Sequence, residues 1–91
     1  MIFHYEDERV YAENENGELV AEITFPETVY GVANIDHTFV APSLRGKGVA
    51  DKLVRAALQQ IEETGRQPVA TCPYAEHWFS KHPEELEVFS R

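Results

Sequence analysis

The run Val40-Ala41-Pro42-Ser43-Leu44-Arg45-Gly46-Lys47-Gly48-Val49-Ala50 constrains this chain more than any other stretch. An extended segment ends at it, because Pro42 cannot donate to a sheet ladder. A long amphipathic helix begins just after it, near Lys47. Glycines and basic side chains stand at the junction. A helix start leaves backbone N–H groups unpaired and carries partial positive charge. Glycine, lacking a Cβ, lets an anion approach that backbone closely. The stretch is therefore a candidate anion site between a strand and a helix.

The residues ahead of it read as sheet. Arg9 to about Asn14 is a short strand, and Glu15-Asn16-Gly17 is a turn, since Asn-Gly tolerates positive φ. The next run alternates, with Leu19, Ala21, Ile23 and Phe25 on one face and Glu18, Glu22 and Thr24 on the other. Val20 breaks the pattern, and Pro26 ends the strand. A third strand is expected from about Val29 to Ala41. Without a bulge, Ala33, Ile35, His37, Phe39 and Ala41 share one side of it, and Asn34, Asp36, Thr38 and Val40 the other.

The helix covers roughly Lys47 to Thr64. Val49, Leu53, Ala57 and Ile61 recur every four residues, flanked by Ala50, Val54 and Leu58. Gly65 suits the residue just past a helix end. A strand at Pro68–Cys72 follows, and a right-handed crossover sets it parallel to the third strand. Tyr74 to about Lys81 reads as a short helix that His82-Pro83 ends. The expected fold is an α/β (α+β) domain over residues 1–91: an antiparallel meander, a β-α-β crossover with a parallel strand pair, and a short C-terminal helix.

Charge narrows the function. Ahead of Arg45 there are nine acidic side chains and one basic one, whereas Arg45–Arg55 holds half of the eight Lys and Arg residues. An acidic body with one basic spot argues against nucleic-acid binding, which uses a broad cationic face. It suits a small polyanionic ligand. No run of about 18 apolar residues is present, so no membrane span is expected. The acidic N-terminus has no signal-peptide core. Cys72 is the one cysteine, and a cytosolic location is expected. No metal site is expected: Cys72, His77 and His82 stand five residues apart and share no helix face well.

Two glycine-loop readings fail. A phosphate-binding P-loop needs Ser or Thr after Gly-Lys, and here Gly46-Lys47 precedes Gly48. A dinucleotide loop needs a third glycine where Asp51 stands. What fits is Arg45-x-x-Gly48-x-Ala50, with His37-Thr38 before it, Cys72-Pro73 after the next strand and His82-Pro83 beyond. These resemble the GCN5-related N-acetyltransferases, in particular their small single-domain, acetyltransferase-like subfamily, over about Val10 to Glu84. The resemblance implies a compact domain that binds acetyl-CoA and lacks the N-terminal helices of larger relatives.

The resemblance also implies roles. Arg45, Gly46, Lys47, Gly48, Val49 and Ala50 would hold the pyrophosphate. Phe39 and Val40 would offer backbone groups to the pantetheine arm where the third strand splays from its parallel neighbour. A strand-end N–H there would polarise the thioester carbonyl. Tyr74 would line the thiol end. Cys72 would lie near the acetyl group, as covalent carrier, proton-handling group or inert core residue. His37 would serve as a general base, since imidazole titrates near neutrality, or as a core histidine. The implied activity is acetyl transfer from acetyl-CoA to a primary amine, on a small molecule or a protein. A CoA- or acyl-CoA-binding module with little turnover is the alternative. A monomer or weak homodimer fits the size.

Overall fold

The computed structural model describes residues 1–90. Strands β1 (His4–Glu6), β2 (Arg9–Glu13), β3 (Leu19–Thr24), β4 (Glu27–Val29), β5 (Val32–Ile35) and β6 (His37–Val40) come first. A short 3₁₀ turn at Pro42–Leu44 leads to helix α1 (Val49–Glu63), strand β7 (Gln67–Ala70), helix α2 (Pro73–Lys81) and a 3₁₀ segment at Pro83–Ser90. No helix among the described residues is long and apolar enough to cross a membrane.

The strands form two sheets. One has the order β1-β2-β3-β6, all antiparallel; the other runs β4-β5-β7, with β5 and β7 parallel. The β2–β3 turn is set by Asn14, whose side-chain oxygen accepts the Asn16 and Glu18 N–H groups, while Gly17 takes φ 78°. The crossover places α1 against β2, β3, β6 and β7. Val49, Leu53, Val54, Ala57, Leu58 and Ile61 bury its apolar stripe there. Each larger aliphatic side chain contributes roughly 1.5–3 kcal/mol by leaving water. Val10, Ala12, Ala21, Ile23, Ala33 and Ile35 meet them from the sheets.

The expected third strand is three pieces. Val29 ends β4, Tyr30-Gly31 turn the chain, and β5 and β6 are separated at Asp36. Thr24 hydrogen-bonds both parts of this break: its carbonyl accepts the Asp36 N–H, and its hydroxyl reaches the Asp36 carboxylate. The extra residue works as a bulge and reverses the side-chain alternation beyond it. Ala33 and Ile35 remain in the core, but His37 and Phe39 do not follow them. Thr38 instead faces Ile23 across the ladder and Val40 faces Ala21, both core residues. The expected shared face of Ala33, Ile35, His37 and Phe39 is corrected by that one residue.

Candidate functional site

The site lies where the two sheets part. Strand β7 pairs with β5 as far as Ile35, whose carbonyl takes both the Thr71 and Cys72 N–H groups at 3.0 and 3.1 Å. Past Asp36 the chain becomes β6, which pairs only with β3, and Cys72 turns into α2 with Pro73 in its first turn. Proline at that position has no N–H to offer a neighbouring strand. β6 and the end of β7 are thus edges of separate sheets facing a common gap.

Register decides which β6 groups face the gap. The Ala41 N–H donates to the Val20 carbonyl directly opposite at 2.8 Å, which makes that pair hydrogen-bonded. Alternation in an antiparallel ladder then turns the amides of His37 and Phe39 toward β3 and those of Thr38 and Val40 outward. Phe39 therefore spends its backbone on Glu22, and Thr38 takes the place expected for it. The sequence carried a signal for this: Asp36, a poor strand former, inside a long extended run.

The glycine loop closes one end. Gly46 and Gly48 have φ of 80° and 76°, conformations that side chains other than glycine adopt with strain. Gly48 is the N-cap of α1, and no side chain caps that helix. Among the described residues no backbone N–H from Gly46 to Asp51 makes a close, well-aligned hydrogen bond to another protein group; the first that does is Lys52, bonded to the Gly48 carbonyl at 3.2 Å. A cleft of about 220 Å³ lies over these groups, lined by Val40, Leu44, Arg45, Gly46, Gly48, Val49, Ala50, Asp51 and Tyr74. Arg45 donates through Nε to the Val40 carbonyl at 3.2 Å, tying the loop to the strand edge. Lys47 is exposed and does not line the cleft. Arg55 is engaged by Asp51 and Glu85.

Tyr74 is 40% exposed, and burial together with the Asp51 charge pushes its phenol pKa up. It stays protonated at neutral pH and is a hydrogen-bond donor. Asp51 is held below the usual carboxylate range, chiefly by the Trp78 indole N–H and also by Arg55.

Cys72 is 7% exposed, and its Sγ lies 3.5 Å from the Thr38 hydroxyl. Thr38 stands two residues before Val40, about 7 Å along the strand. The thiol thus lies beside the same strand edge, outside the residues that line the cleft. His37 is on the other face of the sheet, more than half exposed, with Nε2 3.9 Å from a Glu22 oxygen. The core-histidine reading is overturned by that exposure. That outer face also carries Arg9, Tyr11, Thr24 and Phe39, none of them in the buried core.

A model of the GCN5-related N-acetyltransferases matches residues 9–88. The chain belongs to that family. A Staphylococcus aureus protein solved by NMR and described as a GCN5-like N-acetyltransferase shares 29% identity, with a TM-score of 0.77 over 96% of this chain and 85% of that one. A structure described as a phosphinothricin N-acetyltransferase shares 27% identity, with a TM-score of 0.65 over 87% of this chain and 56% of its own. An acetyltransferase of Bacillus cereus, 20% identical, matches in fold with a TM-score of 0.65, over 81% of this chain and 54% of that one. This member of the family spans just over half the length of the latter two. No curated protein matches it.

Proposed function

We propose that this protein is a cytosolic N-acetyltransferase that takes acetyl from acetyl-CoA and delivers it to a primary amine. The observation that carries the reading is the row of unpartnered N–H groups from Gly46 to Asp51 beside a strand edge whose own amides are free. A diphosphate fits the first, and an amide-bearing arm of extended shape fits the second. Acetyl-CoA supplies both, with an activated acyl thioester at the end.

The chain's residues would divide the work as follows. Gly46, Gly48, Val49 and Ala50 bind the pyrophosphate through backbone N–H groups, with the α1 dipole adding roughly 0.3–1 kcal/mol. Arg45 moves from the Val40 carbonyl to a phosphate, and Lys47 adds charge at the rim. The Val40 and Thr38 amides hold the arm in extended register, and an N–H of this pair polarises the acyl carbonyl. Tyr74 and Cys72 lie at the thiol end, where Cys72 hands a proton to the departing sulfur as the C–S bond breaks and regains one from the newly acylated nitrogen. The acceptor reaches the gap from the outer face, where His37, beside Glu22, removes the ammonium proton.

Calorimetric titration with acetyl-CoA, CoA and ATP tests the cofactor reading, and thiol release with a panel of amines and basic peptides tests turnover. Acetyl-CoA should bind at least ten-fold more tightly than ATP (about 1.4 kcal/mol), because ATP lacks the arm that the strand edge holds. Equal affinities would overturn the assignment. CoA binding without thiol release from any amine would favour a carrier or sensor.

A further inference from the structure

The cradle has an acid in its own first turn. Asp51 is the third residue of α1, a position from which a carboxylate commonly folds back onto the free N–H groups of the helix start. Here it does not, since no side chain caps the helix. Both its oxygens are taken elsewhere. The Trp78 indole N–H donates to Oδ1 at 2.7 Å, and Arg55 Nε donates to Oδ2 at 3.0 Å.

The two donors are themselves fixed. Trp78 is 4% exposed, and its ring stacks on His82 with centroids 4.1 Å apart. Its carbonyl accepts from the His82 backbone at 3.0 Å, and His82 Nδ1 lies 3.0 Å from the same oxygen. The Arg55 guanidinium lies over the Trp78 ring and donates to Glu85 of the C-terminal segment at 2.8 Å. Through Trp78 and Glu85, helix α2 and the segment after it thereby reach the first turn of α1.

We propose that Trp78 and Arg55 are positioning residues that hold the Asp51 carboxylate away from the start of α1, keeping its N–H groups free for the pyrophosphate. The proposal rests on the acetyl-CoA reading above. A released Asp51 would compete as a tethered anion, and a tethered competitor acts at an effective concentration in the millimolar range or higher. Phenylalanine at position 78 would fill most of the indole's space but could not donate.

The test is calorimetric titration of the full chain with CoA. The variants are Trp78→Phe, Arg55→Gln, Asp51→Asn and the two doubles that contain Asp51→Asn. Trp78→Phe and Arg55→Gln should each bind CoA about ten-fold more weakly, a loss of about 1.4 kcal/mol. Adding Asp51→Asn should restore the affinity of both. The gain from Asp51→Asn should be several-fold larger in the Trp78→Phe background than in the wild type, because only there is the carboxylate loose.

A gain of equal size in both backgrounds would be plain removal of charge and would overturn the clamp. So would wild-type affinity in the folded single variants. Circular dichroism reports folding; should Trp78→Phe not fold, the exposed Arg55→Gln and its double decide the matter by the same comparison. A wild-type chain that bound no CoA would overturn the acetyl-CoA reading itself, whereas wild-type binding with unaffected variants overturns the clamp alone.

Discussion

Gly48 combines two demands in one position. Its φ of 76° is costly for any side chain, yet nothing lies within 4 Å of where a Cβ would stand. Strain, not crowding, is the penalty for Gly48→Ala, roughly 1–2 kcal/mol of stability. Gly48→Glu adds a carboxylate at the cradle. It should abolish CoA binding in a titration while circular dichroism still reports a folded domain; retained affinity would place the phosphates elsewhere. Cys72 makes the opposite case, a buried thiol with one polar neighbour, Thr38. Cys72→Ala should keep CoA affinity within about two-fold, and kcat should fall about 10²-fold if the thiol moves a proton, the low end for such a group. Intact-protein mass after incubation with acetyl-CoA should show no adduct. An acetyl adduct lost in Cys72→Ala would instead make the residue a covalent carrier.

Strand β5–β6 shows how far the sequence could be read. The hydrophobic stripe of α1, the Asn-Gly turn and the alternation of β3 were legible because each rests on local periodicity or local turn chemistry. The glycine loop at the start of α1 was legible for the same reason: its glycines, helix start and basic side chains are contiguous. The facing of His37 and Thr38 was not. It depends on Asp36 bonding to Thr24, twelve residues away, and no period within the strand reports that. The short edge strand β1 was also missed, since His4–Glu6 is exposed throughout and carries no alternation. The bond from Trp78 to Asp51 spans 27 residues and needs the fold. Deleting Asp36 should return His37 and Phe39 to the core side and expel Thr38 and Val40 from it. The loss in urea-derived stability should exceed the roughly 0.5–3 kcal/mol usual for single changes. A deletion variant of near-native stability would show that the bulge does not set the facing.

The molecule as a whole is strongly acidic, with a formal net charge of −8, and half of its basic residues fall between Arg45 and Arg55. Such a body attracts cationic acceptors at long range, and salt screens that attraction as the Debye length falls from about 30 Å at 0.01 M to about 8 Å at 0.15 M. The KM for a polycationic amine should therefore rise several-fold over that range in a thiol-release assay, while that for an uncharged amine should hardly move. Equal salt responses would remove the steering argument. The outer sheet face, with His37 and Glu22, is where such an acceptor would arrive. Its relation to the cleft over the glycine loop hangs on the one backbone that serves both sheets. A point change at His37 or Thr38 alters a side chain, but gaining or losing one residue between β5 and β6 trades the chemistry of the two faces at once. In descent, this joint is where a length mutation could set a different row of side chains beside the same glycine loop in a single event, with every residue of the loop untouched.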